Sequence, residues 1–121
     1  MISLARIKRG NTSNIEIECV DRNDQIITDL ASTSEIHYQV KKREKQVAPD
    51  VAKTKGAGIA VNTPTTGWVT VTLDPADTAA LPIGMYYQAL QLEYAGDEYE
   101  VRIFIEGVET ERLEIQQDII S

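Results

Sequence analysis

Residue types that carry most catalytic and metal-binding chemistry are scarce in this chain. Its 121 residues include one histidine and one cysteine. A lone His37 excludes histidine-based acid–base pairs and multi-histidine metal sites, and a lone Cys19 excludes an internal disulfide. Long apolar runs are also missing, since no stretch approaches the roughly 20 apolar residues that span a bilayer. The function therefore has to be sought in the architecture of the chain rather than in a catalytic signature.

The common catalytic and cofactor motifs are missing as well. No Gly-x-Ser-x-Gly, P-loop or dinucleotide fingerprint occurs in the sequence. The turn that contains Asp21, Asn23 and Asp24 offers oxygen ligands for Ca²⁺, but the glycine and terminal glutamate of an EF-hand loop are missing. We predict that the chain is not an enzyme and holds no metal or cofactor, with Ca²⁺ at residues 21–24 left as an open alternative.

Charge is distributed unevenly along the chain. Residues 1–55 contain ten Lys or Arg and eight Asp or Glu, whereas residues 56–121 contain two and eleven. The net charge of −7 argues against a general nucleic-acid binder. Basic residues in the first ten positions stand where a signal peptide needs an apolar run, so we expect a soluble chain without a standard export signal.

Apolar and polar residues alternate with a period of two along most of the chain, which predicts β-strands. In residues 14–20, for example, Ile15, Ile17 and Cys19 fall on one face and two glutamates on the other. The other predicted strands are 4–8, 35–42, 58–61, 67–73, 86–94, 98–107 and 112–116. Seven or eight antiparallel strands at about this spacing are typical of a single all-β domain built as a β-sandwich. A small barrel is the alternative.

The stretch LDPADTAALPIGMYY, residues 73–87, joins two of these strands through a proline-bounded corner. Asp74 is a good N-cap, and Pro75 suits the first turn of a helix. Pro82 and Gly84 would end that turn. We therefore predict one short helical turn over Pro75–Leu81 that crosses between the two sheets.

The same corner resembles the one found in immunoglobulin-type domains. There, an Asp-Thr/Ser-Ala turn precedes a strand whose first tyrosine donates its hydroxyl to the backbone. Asp77-Thr78-Ala79 and Tyr86 match that pattern, which implies an immunoglobulin-like sandwich in which Tyr86 bonds to the backbone near Asp77. Gln88 departs from the pattern, because an immunoglobulin would have its second cysteine there.

A longer resemblance covers about 90 residues of the chain. The opening KRGNTSNIEIECVDRNDQIITDL, the valine-threonine strand and DPADTAALPIGMYY resemble, in this order, the small immunoglobulin-like structural proteins of tailed bacteriophages. Asn11 stands where that family usually has an aspartate. The resemblance implies a virion component: a head decoration protein, a neck or tail component, or the attachment domain of a baseplate protein.

A basic segment occupies residues 41–58, KKREKQVAPDVAKTKGAG, with six basic and two acidic residues. Its low apolar content predicts a long, solvated and mobile loop. In a functional role it would be an arm that becomes ordered against an acidic partner, such as another copy of this acidic chain. The interface candidates in this segment are Lys41, Lys42, Arg43, Lys45, Lys53 and Lys55.

Two aromatic residues, Trp68 and Phe104, fall on the wetter faces of their predicted strands. Aromatic side chains in such positions can anchor an interface, because they dominate the binding energy of many complexes. They complete the set of interface candidates, and both they and the basic segment favour assembly over catalysis.

We therefore expect a non-enzymatic structural protein of a tailed-phage virion, made in the bacterial cytoplasm. It would bind in many copies to a capsid, neck or baseplate surface, with other virion proteins and copies of itself as partners and no membrane. The alternative is a carbohydrate-binding β-sandwich module that uses Trp68 and nearby tyrosines as stacking platforms. A small hydrolase is the third hypothesis.

Overall fold

The computed structural model of the chain describes residues 4–20, 25–43, 46, 48–63, 67–94, 97–105, 108–110 and 112–116. These residues form ten strands, one α-helical turn and one 3-10 turn at Leu30–Ser32. The elements are β1 (Leu4–Lys8), β2 (Ser13–Val20), β3 (Glu35–Lys41), β4 (Val51–Lys55), β5 (Gly58–Thr63), β6 (Trp68–Leu73), α1 (Pro75–Ala79), β7 (Gly84–Tyr94), β8 (Asp97–Ile105), β9 (Val108–Glu109) and β10 (Arg112–Gln116). Both helical turns in the described part, of three and five residues, are far too short to cross a membrane.

Hydrogen bonds order the strands as β1-β10-β7-β3-β4-β5-β6-β2-β8-β9, and a further pairing joins β7 to β8. The long strand β7 thus contacts β10 beside its first half, β8 beside its second half, and β3 on its other edge. Most neighbours are antiparallel, while β1–β10 and β4–β5 are parallel. The sheet curls on itself into the all-β, sandwich-like fold that the alternation predicts.

The strand neighbours follow the immunoglobulin pattern. Strands β2, β6 and β5 lie side by side like strands B, E and D, and β3, β7 and β10 like strands C, F and G. The β8–β9 hairpin is inserted between the equivalents of F and G. Because β8 pairs with both β7 and β2, this insertion bridges the two layers on one side.

The core consists of the inward-facing positions of the alternating strands. On β2, Ile15, Ile17 and Cys19 are buried, as predicted, while Glu16 is exposed and Glu18 half-buried. The inward positions predicted for residues 35–42 and 67–73 are confirmed, because Ile36, Tyr38, Val40, Val69, Val71 and Leu73 are buried in one hydrophobic cluster, and Ile103 is buried as the alternation over 98–107 predicts. The same cluster contains Leu90 and Leu92 of β7 and Leu113 and Ile115 of β10. Burial of each large aliphatic side chain contributes about 1.5–3 kcal/mol, so this cluster is the main source of stability.

The prediction of a long loop over residues 41–58 is wrong for its second half, because residues 51–55 form strand β4. Val40 pairs with Val51 and Tyr38 with Lys53 across the β3–β4 hairpin. Val51 is buried, and only 13% of the Lys53 side chain is exposed, so this strand presents its aliphatic lysine stem to the core. A pattern that counts every lysine as polar therefore misses the strand.

The corner between β6 and β7 has the predicted helical turn, which ends at Ala79, two residues earlier than expected. The Asp74 side chain accepts a bond from the backbone of Asp77, and the Asp77 carboxylate accepts one from the Asp74 N–H at 2.6 Å. This capping box pairs two backbone N–H groups that would otherwise lack partners. Lys53 Nζ lies 2.8 Å from Asp77 Oδ2 and so ties β4 to the corner.

The predicted acceptor of the Tyr86 hydroxyl is corrected by the structure. Tyr86 Oη donates to the Pro82 carbonyl at 2.6 Å rather than to the backbone near Asp77. Residues 80–84 separate the turn from the tyrosine, and this places the Pro82 carbonyl within reach instead. Burial, with a smaller contribution from Asp50, raises the pKa of Tyr86, which keeps its hydroxyl a proton donor.

Replacement of Tyr86 by phenylalanine should lower the free energy of unfolding by about 1–2 kcal/mol, because the substitution removes the partner of the Pro82 carbonyl. Chemical denaturation measures the change. Tyr87→Phe is the matched control, since Tyr87 is half-buried on the opposite face of β7. Equal losses in the two variants would contradict a closing role for the Tyr86 bond.

Candidate interaction surface

The predicted aromatic candidates lie in one cross-strand row on the outer face of the β6–β2–β8 layer. Glu18 on β2 is directly opposite Trp68 on β6 and Phe104 on β8. All three side chains are half-buried. Directly opposite residues in antiparallel strands have Cβ atoms about 4.5–5.5 Å apart, so Glu18 has an aromatic residue as its neighbour on each side. We call Trp68, Glu18 and Phe104 the aromatic–acidic row.

Polar residues lie beside the row among the described part of this outer face, and hydrogen bonds join several of them. Glu16 lies opposite Thr70, one step along the strands from the aromatic–acidic row. Thr72 Oγ1 donates to Asn14 Oδ1 at 2.8 Å, and Asn62 Nδ2 donates to Thr70 Oγ1. These bonds link threonine and asparagine side chains across neighbouring strands, so the surroundings of the row are polar.

The backbone at Gly67 sets the position of Trp68. Gly67 has a φ of 78°, and its carbonyl accepts a hydrogen bond from Cys19 N at 2.8 Å. A Cβ at this position would lie 3.0 Å from Ile27 O and 3.1 Å from Cys19 O. Only glycine fits both the conformation and the space, so Trp68 enters β6 at a defined register beside Glu18.

Lys42 and Arg43 follow β3 directly, and both are exposed. We call this pair the basic hairpin. Lys42 Nζ lies 4.7 Å from the centroid of the Tyr86 ring, and its backbone N–H donates to Asp50 Oδ2 at 2.8 Å. The Arg43 N–H donates to Gln46 Oε1 at 3.3 Å. Lys45, the remaining candidate here, lies outside the described residues.

Two predicted interface lysines form contacts within the fold. Lys53 pairs with Asp77, as described above. Lys55 Nζ donates to the carbonyl and hydroxyl oxygens of Thr33 at 2.8 and 3.0 Å, and its backbone N–H donates to Glu35 Oε1. Both ammonium groups thus connect β4 to neighbouring segments, in contrast to the exposed Lys42 and Arg43.

A second row of interface-type residues lies on the β3–β7–β10 layer. Tyr87 on β7 is directly opposite Lys41 on β3 and Arg112 on β10. The Arg112 guanidinium carbon lies 4.1 Å from the centroid of the Tyr87 ring, and Arg112 Nε donates to Tyr86 O at 3.3 Å. We call Lys41, Tyr87 and Arg112 the cationic row.

Sequence reasoning identified Lys41 but missed Tyr87, Arg112 and Glu18 as parts of these rows. Each lies on a different strand from its neighbours, and the contacts depend on the register between strands that are far apart in sequence. The signal that could have found them is the outward phase of each strand combined with the expected pairings of β2 with β6 and β3 with β7.

Cys19 is fully buried on β2, as its phase predicts. Burial, with a smaller contribution from Glu18, raises the pKa of its thiol to about 12. Since the thiolate is the reactive form, native protein at pH 8 should react with a thiol reagent at least about 100-fold more slowly than denatured protein. Labelling followed by mass spectrometry measures both rates, and fast native labelling would place Cys19 at the surface.

No group of three or more His, Cys, Asp or Glu side chains within the described ranges is arranged to hold a metal ion. The turn considered for Ca²⁺, residues 21–24, lies outside those ranges. His37 is half-buried on the outer face of β3, where its Nε2 is 3.4 Å from Glu93 Oε2. The candidate interaction surface consists of the aromatic–acidic row, the cationic row and the basic hairpin.

No protein-family model, curated protein or solved structure matches this chain.

Proposed function

We propose that this chain is a non-enzymatic structural protein of a tailed-phage virion that attaches in many copies to a capsid, neck or baseplate surface. The observation that carries the proposal is the cationic row on the outer face of the β3–β7–β10 layer. Tyrosine and arginine are enriched among the residues that dominate binding energy, and here they stack on each other beside Lys41.

The row is suited to an acidic protein surface. An arginine stacked on a tyrosine keeps a fixed orientation and still presents N–H donors in a planar fork that matches carboxylates. The row sits on paired strands in the middle of a layer, so attachment costs little ordering entropy. The sequence resemblance to phage structural proteins and the immunoglobulin-like strand order support the same proposal.

A particle-binding experiment tests the proposal directly. Purified phage particles that lack the chain should bind the added protein in many copies per particle, as measured by co-sedimentation and quantitative gel analysis. Binding should weaken as salt rises, because the row is positively charged. Lys41→Ser with Arg112→Ser should raise the Kd about tenfold or more, which corresponds to a loss of about 1.4 kcal/mol.

Arg6→Ser with Lys8→Ser is the matched control, because it removes the same charge from exposed side chains on β1. That control should bind particles like the wild type. Equal weakening of both variants would mean that only net charge matters, and no binding to any particle surface would contradict the proposal. Binding to polysaccharides instead of particles would favour the carbohydrate-binding alternative.

A further inference from the structure

The aromatic–acidic row has the composition of a site for a positively charged side chain. Glu18 provides a carboxylate, and rings lie directly opposite it on both neighbouring strands. A cation within about 6 Å of an aromatic face is attracted by the ring quadrupole, and a carboxylate adds charge pairing. An arginine or lysine side chain inserted above Glu18 would contact all three groups.

The chain itself carries a suitable cationic group in the basic hairpin. Lys42 and Arg43 are both exposed, and neither forms an ion pair within the part of the chain that the structure describes. In the strand order, β4 and β5 separate the hairpin strand β3 from β6. Within one molecule the Lys42 ammonium lies over the Tyr86 ring instead, 4.7 Å from its centroid.

We propose that the basic hairpin of one copy of this chain docks on the aromatic–acidic row of a second copy. Charge complementarity supports this choice of partner, because the exposed cations of the basic hairpin favour a face that carries the Glu18 carboxylate over a neutral one. Arg43 would lie over Glu18 between the Trp68 and Phe104 rings.

Such a contact joins two different surfaces, so it is heterologous. A heterologous contact leaves a free hairpin at one end of each pair and a free row at the other, and it therefore builds rings or open chains rather than a closed two-fold dimer. This inference rests on the proposed function, since it describes how neighbouring copies on a particle would contact each other. The cationic row on the other layer remains free to face the particle.

Self-association of the purified full chain tests the inference. Sedimentation velocity over a range of protein concentrations should show growth beyond dimers at low salt and return to monomers at high salt. Glu18→Gln should weaken association about tenfold, as expected for loss of a desolvated cation contact. Glu16→Gln is the matched control, because Glu16 lies on the same face opposite Thr70, and it should associate like the wild type.

A mixing experiment identifies the two surfaces. Glu18→Gln chains keep an intact hairpin, and Lys42→Ser/Arg43→Ser chains keep an intact row. Each variant alone should remain monomeric under conditions where the wild type assembles. Mixed in equal amounts, they should form dimers that do not grow, since only one productive contact remains per pair.

Several outcomes would overturn the inference. In sedimentation, the wild-type chain could remain monomeric at all concentrations, or form a dimer that never grows, or be weakened equally by Glu16→Gln and Glu18→Gln. In the mixing experiment, the two variants could fail to form dimers. Particle binding by isolated copies gives a separate result. If wild-type chains bind particles normally but do not associate with each other in solution, the inference fails while the proposed function stands.

Discussion

Replacement of Gln88 by leucine should lower the free energy of unfolding by about 2–4 kcal/mol, a large share of the total for a domain of this size. Gln88 is buried in the middle of β7. Its Oε1 accepts the Tyr38 hydroxyl at 2.7 Å, and its Nε2 lies 3.3 and 3.4 Å from the carbonyls of Thr110 and Arg112. Leucine has a similar volume, so the loss comes from buried polar groups left without these bonds.

The partner variant separates the hydrogen bond from packing. Burial raises the pKa of Tyr38, so its hydroxyl remains protonated and donates to Gln88. Tyr38→Phe should cost about 1–2 kcal/mol, and the double variant should cost less than the sum of the two single variants, because both ends of the bond are then removed. Urea denaturation measures all three. Additive losses, or an unchanged midpoint for Gln88→Leu, would contradict this account.

Replacement of Gly67 by alanine should destabilise the protein by about 3 kcal/mol. About 1 kcal/mol or more comes from the left-handed backbone at φ 78°. The rest comes from crowding, since the new Cβ would lie 2.9 Å from Ile26 Cγ2 and close to two carbonyl oxygens. One of these, Cys19 O, already accepts a bond from Ile27 N at 3.1 Å, so movement of the backbone would weaken that pairing.

Gly10→Ala provides the matched control for this experiment. Gly10 has a nearly identical φ of 79°, but a Cβ there would meet nothing within 4 Å. It should therefore show only the conformational cost of about 1 kcal/mol. Thermal and urea denaturation of the two variants give the comparison, and equal losses would mean that crowding at Gly67 is relieved without cost. Gly67→Ala should also disturb Trp68 fluorescence, because the two residues are adjacent.

Much of the fold follows from the sequence because outward and inward residues alternate clearly. The bounds of β1 and β10 agree with the predicted 4–8 and 112–116, and the buried phases of β2, β3 and β6 were predicted correctly. These strands contain an apolar residue at every second position, which is the local signal for a half-buried strand. The capped turn at Pro75 was predictable for a similarly local reason.

The features that the sequence did not predict depend on contacts between distant residues. Strand β4 was missed because Lys53 places its stem inward and pairs its ammonium group with Asp77. The Pro82 acceptor depends on how the chain folds back before Tyr86. Both rows at the candidate site arise from cross-strand register, so Glu18 has no local signal that distinguishes it from Glu16.

The parallel pairing of β1 with β10 has a mechanical consequence. Five residue pairs, from Leu4 with Arg112 to Lys8 with Gln116, run in the same direction along this contact. A force that pulls Leu4 and Gln116 apart would slide the two strands past each other and load their evenly spaced hydrogen bonds together, instead of opening them one at a time. A chain held at these two ends would resist stretching along this axis through simultaneous rather than sequential bond rupture.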